Sequence, residues 1–560
     1  MLKQLSAQDA QFLYTQTANN LTHIMGVYIY DPSTAPGGFV RFKDIIAHVE
    51  SRVDTSPLFK RRLHRLPFDI DHPYWVEDEH FDIEAHMSHA RLPEPGDWRQ
   101  FCIAVARWFS KPMDMNRPLW DIYVIEGLDR IPGIPKGSFA MLHRVHHAAV
   151  DGASGAHAFI AMSDIDAKGT PAIADPPPVE ELGKPPSAAD AAARAWSASL
   201  QSPVKFMNAL MKMSPAIISS ARKSIAEGGM TAGVPETRFN VPVGPHKMFD
   251  ATTVALADVS EIRKKVPGAT VNDVVLTTVG GALRQYLQKH KELPKESLVA
   301  VAPINLRGKG GKAATPGNQV SAMSVPIRTD IADPLERLAA VRDYTLEAKE
   351  AKAGVSARIM TDLSQHIPGA TMAAVARILT SERFAVRGTN LFISNVPGAQ
   401  VPLYLAGAQL VQQHGMAPLA NNMGLFVATP SYNGRIAFSL ISERAIMPDI
   451  AFFRTCIDES FADLMAAVPR VEKAETVTAK PKAAAKPKPA PKAASKPKAK
   501  PKAATKGRKK PSSSPPRRRG PQEVYAAPKS KGDNGPRLRG GDEPVKTVAK
   551  GNATGKNPQK

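Results

Sequence analysis

The chain is 560 residues long and carries 73 Lys and Arg against 52 Asp and Glu, a formal charge of +21. The excess is local: residues 471–560 hold 25 basic and 6 acidic side chains, which leaves 48 and 46 for the first 470 residues. That near balance excludes a globally basic nucleic-acid-binding body, and two cysteines, Cys102 and Cys456, exclude a disulfide-stapled scaffold or a cysteine-rich zinc module.

The opening MLKQLSAQDAQFL has neither an apolar core nor a small-residue cleavage site, so no signal peptide is expected. No run of about 18 apolar residues suggests a membrane span. MGVYIYD, LWDIYVIEGL and GSFAMLHRVHHA then read as strands rich in β-branched and aromatic residues, followed by a helix in ASGAHAFIAMSDI. From about Asp166 to Pro245 the chain is first Pro-rich and then helical in spacing, with KFMNALMKMSPAIISSARKSI interrupted by Pro215. Beyond it TTVALA reads as a strand, and NDVVLTTVGGALRQYLQKH as a helix capped by its Asn. SLVAVAPINLR and NQVSAMSVPIRT are strands, and DPLERLAAVRDYTLEAKEAK is a strongly amphipathic helix. TNLFISNVPG runs from strand into turn, MGLFVATPSYNGRIAFSLISE is a hairpin about Asn433-Gly434, and IAFFRTCIDESFADLMAAV is the last helix of the body.

This pattern predicts an α/β fold with two lobes. Residues 1–165 form the first, 166–245 a linker, 246–470 the second, and 471–560 a tail dominated by Lys, Pro and Ala. Tyr525 is the tail's one aromatic residue, and the segment lacks the apolar area to offset its chain entropy, so disorder is expected.

The most informative segment is HRVHHAAVDGASG, residues 143–155. A strand that opens into a turn presents side chains at a cleft, and alternation sends His146 and His147 to opposite faces. An imidazole titrates near neutrality and can take a proton from a hydroxyl. Asp151 either orients an imidazole or pairs with a cation, and Gly152 permits backbone conformations that other residues resist. The spacing lacks a third-ligand pattern, so no metal is expected. One histidine of the pair, His146, suits a buried structural role.

His146-His147-x-x-x-Asp151-Gly152 resembles the HHxxxDG motif of the CoA-dependent acyltransferase superfamily, which includes chloramphenicol acetyltransferase and peptide-synthetase condensation domains. Further matches are similar to the bacterial wax ester synthase/diacylglycerol acyltransferase family. They are LSAQDAQFLYTQTANNLTHIMGVYIYD, LPEPGDWRQF, Pro118-Leu119-Trp120, Asn272-Asp273 and Ser394-Asn395-Val396-Pro397-Gly398. They span the body to about residue 465, and the tail has no counterpart. The resemblance implies a two-lobed, chloramphenicol acetyltransferase-like fold and transfer of a long-chain acyl group from acyl-CoA to diacylglycerol or a long-chain alcohol. It makes acyl-CoA a substrate and requires no cofactor. His147 is then the general base, Asn272 an oxyanion donor or simply a helix cap, and Asp151 the partner of Arg307. Pro118, Leu119 and Trp120 suit a core role, and Ser394–Gly398 a turn at the lobe interface. No GxSxG elbow accompanies the motif, which fits a ternary complex without an acyl-enzyme.

RGKGGKAATPGN, residues 307–318, lacks the phosphate-loop arrangement and reads as a basic loop that attracts the CoA phosphates or merely stays mobile. The linker helices either pack between the lobes or rest on a membrane or lipid-droplet surface. The tail binds anionic lipid, binds nucleic acid non-specifically, or solubilises the enzyme. The expected location is the bacterial cytoplasm, peripheral to the inner membrane or lipid inclusions. Two competing readings are an acyltransferase with another acceptor hydroxyl and a non-catalytic lipid- or nucleic-acid-binding protein. Tail-mediated DNA binding should fall steeply with salt, and truncation near residue 470 should abolish it while acyl transfer persists; retained DNA binding after truncation would assign it to the body.

Overall fold

The computed structural model describes residues 3–69, 71–150, 154–173, 181–187, isolated positions between 189 and 196, 234–304, 321–350 and 388–467. The elements of the first half are β1 (Lys3–Gln4), α1 (Ala7–Tyr14), β2 (His23–Asp31), α2 (Phe42–Glu50), β3 (Arg61–His64), β4 (Tyr74–Glu77), β5 (Met87–Arg91), α3 (Trp98–Phe109), β6 (Trp120–Glu126), β7 (Phe139–His146) and α4 (Ser154–Ala161). The second half holds β8 (Lys247–Ala255), α5 (Leu256–Lys265), α6 (Val271–Lys289), β9 (Val299–Ile304), β10 (Ser321–Pro326), α7 (Pro334–Glu350), β11 (Leu391–Pro397), β12 (Tyr404–Leu405), β13 (Ala408–Met416), β14 (Leu425–Tyr432), β15 (Arg435–Glu443) and α8 (Ile450–Ala467).

The first six-stranded sheet runs β12-β13-β2-β7-β6-β5 and the second β10-β9-β11-β14-β15-β8, with a small sheet β1-β4-β3 beside them. Alternation sorts the first sheet's two faces. Tyr28, Tyr30, Ile122, Val124, Phe139 and Met141 enter one core, whereas Val27, Ile29, Ala140 and Leu142 enter the core shared with the second sheet. All of β7 is buried, because β2 and β6 cover its edges and the two cores cover its faces. Residues 404–416 lie in the second half of the chain, yet β13 pairs antiparallel with β2 and so completes the first sheet.

The sheets are stitched by specific polar contacts. Tyr432 on β14 donates its hydroxyl to the Leu410 carbonyl at 3.0 Å and accepts from the Leu403 amide at 2.8 Å. Trp98 on α3 donates to Asp250 on β8 at 2.8 Å. Burial raises the Asp250 pKa, and the Trp98 hydrogen bond opposes that shift.

In the second half β14 and β15 form the expected hairpin, with Asn433 and Gly434 at φ 42° and 76°, the left-handed pair that such a turn needs. The TTVALA strand starts earlier than expected, at Lys247, and its last residues turn into α5. Helix α7 forms where expected, but its buried stripe is narrow: Arg337 and Thr345 share it with Leu338 and Val341, while Tyr344 and Leu346 stand exposed. The helix α6 is capped differently from expectation. Thr270, not Asn272, is the N-cap, its hydroxyl accepting the Asp273 amide while the Asp273 carboxylate accepts the Thr270 amide at 2.8 Å.

Gly280 and Gly281 lie in the middle of α6, where glycine normally weakens a helix. A Cβ at Gly280 would overlap the Ile327 carbonyl oxygen, and one at Gly281 would overlap the Ser460 hydroxyl and the Arg337 guanidinium. Helix propensity alone predicts that Gly280→Ala stabilises by about 0.5–1 kcal/mol. The close approach predicts instead a loss of roughly 1–3 kcal/mol in urea unfolding, and stabilisation would refute the packing argument.

Candidate active site

Strand β7 ends at His146 because two backbone hydrogen bonds close its last pairing. The His146 amide donates to the Leu119 carbonyl at 2.9 Å, and the His147 amide donates to the Thr22 carbonyl at 2.9 Å. His147 then opens a single 3₁₀ turn, His147–Ala149. The expected opposition of His146 and His147 across a strand is therefore corrected: a turn, rather than alternation, separates the two rings.

His146 is fully buried. Its Nδ1 accepts the Ala148 amide at 3.1 Å, which leaves Nε2 to carry the ring proton. Nε2 faces the Gln16 side-chain oxygen at 3.0 Å and the Thr22 hydroxyl at 3.2 Å, and that hydroxyl itself donates to the Phe12 carbonyl at 2.6 Å. Burial, with a smaller contribution from His147, lowers the His146 pKa to about 3. The ring is a neutral spacer that braces the turn.

His147 is half-buried, and its ring stacks on Phe12 with centroids 3.8 Å apart and planes 16° apart. Its Nδ1 is buried without a hydrogen bond of ordinary geometry, although its own backbone carbonyl lies close enough to favour the protonated form. Burial outweighs that carbonyl and lowers the His147 pKa. His143 lies on the opposite core face, edge-on to Trp120, with its pKa lowered to about 4 by burial. His23 pairs with His146 across the strands and donates from Nε2 to the Phe109 carbonyl at 2.6 Å. Burial and then the Arg144 charge bring its pKa to about 3. Arg144 is itself held by Asp121 at 2.5 Å and by the Trp108 carbonyl at 2.9 Å.

Asp151, Gly152 and Arg307 lie outside the described residues. Leu119 and Trp120 are buried, and Trp120 donates its indole N–H to the Phe59 carbonyl at 2.9 Å and stacks on His86. The Pro118-Leu119-Trp120 segment thus reaches the site through the Leu119 carbonyl that holds His146 and through the Leu119 side chain, which shares a buried cluster with Ala148. Asn272 is half-buried at the start of α6, and among the described residues no hydrogen bond joins it to His147. Asp273 is buried and accepts from Thr345 at 2.8 Å, so it ties α6 to α7. Ser394 and Asn395 lie in β11, and the Ser394 carbonyl accepts from Thr429 at 2.9 Å. Pro397 ends that strand in an exposed position, and Gly398 follows where a Cβ would overlap the Ser431 carbonyl oxygen.

Phe12, Gln16 and Thr22 escaped sequence reasoning although all lie in the opening motif. Phe12 lies in α1, whereas Gln16 and Thr22 follow the end of that helix at Tyr14, so no helical spacing marked the three as neighbours. Cys102 and Cys456 are buried, and burial raises both thiols, Cys456 to about 12. Neither is a thiolate poised for nucleophilic attack. Among the described residues no group of three His, Cys, Asp or Glu side chains is placed to hold a metal ion.

Comparison with known proteins names the architecture. The sequence model of the wax ester synthase/diacylglycerol acyltransferase catalytic domain matches residues 5–275, and that of the family's C-terminal domain matches residues 316–465. A Mycobacterium tuberculosis (strain H37Rv) protein provisionally named a diacylglycerol O-acyltransferase is 30% identical over 457 residues, covering 80% of this chain and 87% of its own. A second such protein from the CDC 1551 / Oshkosh strain is 30% identical over 450 residues, covering 77% and 90%. The solved wax ester synthase/diacylglycerol acyltransferase from Marinobacter aquaeolei VT8 superposes with a TM-score of 0.58 at 25% identity, over 83% of this chain and 99% of that one. A trichothecene 15-O-acetyltransferase from Fusarium sporotrichioides shares the fold, with a TM-score of 0.53 at 9% identity over 82% and 94%. The chain belongs to the wax ester synthase/diacylglycerol acyltransferase family, and it is an acyltransferase.

Proposed function

We propose that this enzyme moves a long-chain acyl group from acyl-CoA to the hydroxyl of diacylglycerol, and also to long-chain alcohols, with His147 as the general base. One observation carries the reading: the second histidine of the pair is kept neutral by burial, has its amide held by Thr22 and its plane held by Phe12, and is half-buried rather than sealed. Nδ1 is the buried nitrogen, which leaves Nε2 for the substrate.

In this mechanism the neutral Nε2 removes the acceptor's hydroxyl proton as its oxygen attacks the thioester carbonyl. The tetrahedral intermediate collapses with cleavage of the C–S bond, and the imidazolium returns the proton to the leaving CoA thiolate. Asn272 is proposed as a donor to the oxyanion. Thr270 performs the helix capping, so the Asn272 amide is uncommitted for that task. Asp151, paired with Arg307, would fix the loop after the motif, with Gly152 at its turn. Ser394–Gly398 would shape the opening between the lobes. Among the described residues no helix is long and apolar enough to cross a membrane. Access to lipid acceptors is assigned to peripheral docking at a membrane or inclusion surface, with the basic tail as a second contact to anionic lipid or nucleic acid.

Purified protein given palmitoyl-CoA with diolein or hexadecanol should yield ester on thin-layer chromatography, and His147→Ala should abolish it. Ester at the wild-type rate from His147→Ala would remove the base assignment, and no ester with either acceptor would remove the lipid assignment. Loss of one oxyanion donor typically costs about 10²–10³ in kcat. Asn272→Ala should fall in that range, and an unchanged kcat would return Asn272 to a purely structural place.

The acid limb of kcat/KM should lie below pH 6.5, because the base must be neutral and burial lowers its pKa from the ordinary imidazole value of 6.5. A midpoint above 6.5 would contradict this. Stability has the same sign. His23, His143, His146 and His414 have folded pKa values of about 3 to 4, below the ordinary 6.5, so the unfolded chain binds protons first. Their contribution is complete above pH 6.5 and is lost as pH falls, by up to about 1.4 kcal/mol per pH unit for each. Urea midpoints measured alongside the rates should drop accordingly below pH 6.5, and pH-independent midpoints between 4 and 6.5 would contradict it.

A further inference from the structure

Lys247 is the first residue of β8, an edge strand of the second sheet, and is 9% exposed. Its Nζ donates to the Asn19 carbonyl at 2.6 Å and to the Gly244 carbonyl at 2.6 Å. Burying an ammonium is unfavourable unless its donors are well satisfied. Burial lowers the Lys247 pKa to about 8, with Glu443 opposing that shift, so the group remains the charged form at neutral pH. Methionine would fill similar space without that penalty, and what it would lose is the hold on Asn19.

Asn19 lies in a turn closed by the Thr17 amide on the Asn20 carbonyl at 3.0 Å and the Asn20 amide on the Thr17 carbonyl at 3.2 Å. Gln16 and Thr22 flank that turn and are linked to each other, the Thr22 amide donating to the Gln16 side-chain oxygen at 3.3 Å. The same Gln16 oxygen faces His146 Nε2 at 3.0 Å, and the Thr22 carbonyl takes the His147 amide at 2.9 Å. Hydrogen bonds joined through the chain of residues 16–22 therefore connect a second-sheet lysine to the ring of His146 and the backbone amide of His147, which the first sheet carries.

We propose that Lys247 is a positioning residue for acyl transfer: by gripping the Asn19 carbonyl from the second sheet, it sets the frame of Gln16, Thr22 and His146 on which His147 is held. The proposal rests on His147 being the base. A positional error of about 1 Å at a base can cost on the order of 100-fold in rate without altering substrate binding.

The test compares full-length Lys247→Met and Lys247→Arg with the wild type and with His147→Ala. Lys247→Met should lose about 10- to 100-fold in kcat with KM for palmitoyl-CoA changed by less than about threefold, and Lys247→Arg should recover most of the rate. Hydrogen exchange of peptides covering residues 15–23 and 146–150 should quicken in the methionine variant and return in the arginine variant. If the methionine variant fails to fold, Lys247→Gln, which keeps an N–H donor without the charge, is read in the same way. Wild-type kcat in the neutral variant, or equal losses in the neutral and arginine variants, would overturn the proposal. Activity surviving in His147→Ala would overturn the base assignment instead, whatever Lys247 does.

Discussion

Two main-chain hydrogen bonds set the terms for the rest of this molecule, those by which the carbonyls of Leu119 and Thr22 receive the amides of His146 and His147. They mark where β7 stops being a strand, and they do so on both of its edges at once. A side chain at the end of a doubly paired, fully buried strand has little freedom to drift, because moving it would break ladders to β2 and β6 together. The His147 imidazole therefore needs few side-chain contacts of its own to be held in place. Phe12 fixes its plane, and the backbone fixes its origin.

The two histidines of the motif divide the labour by environment rather than by chemistry. His146 is sealed and spends both ring nitrogens on the protein, one on the Ala148 amide and one on Gln16 and Thr22. His147 leaves its Nε2 open, and its buried Nδ1 makes no hydrogen bond of ordinary geometry. Burial disfavours the charged form of both, so the site holds two neutral rings side by side and avoids the repulsion of two imidazolium ions.

Much of this was legible in the residues, for identifiable reasons. Strands β2, β6, β7, β14 and β15 announce themselves by alternation and β-branched content, and the Asn433-Gly434 turn by its tolerance of positive φ. The family motifs located the histidines. What stayed hidden depends on contacts distant in sequence. Nothing in PHKMFD says that Lys247 is buried, because its carbonyl partner lies 228 positions away. Gly280-Gly281 looks like a weak point of a helix until Ile327 and Ser460 are placed against it. Asn272 reads as a cap as readily as Thr270 does, and only geometry separates polar residues two positions apart at a helix start.

The return of β13 to the first sheet bears on how the chain must be made. While the ribosome is still producing the second half, β2 carries one unpaired edge, and its partner strand ends only at Met416. At typical synthesis rates of about 5–20 residues per second, the interval between Asp31 and Met416 is roughly 20–80 s. Through that time an apolar edge waits open to whatever strand arrives first, including another nascent copy. Closing the first sheet is thus among the last events of biogenesis, and the histidine-bearing strand cannot be flanked by a finished sheet until almost the whole body has emerged.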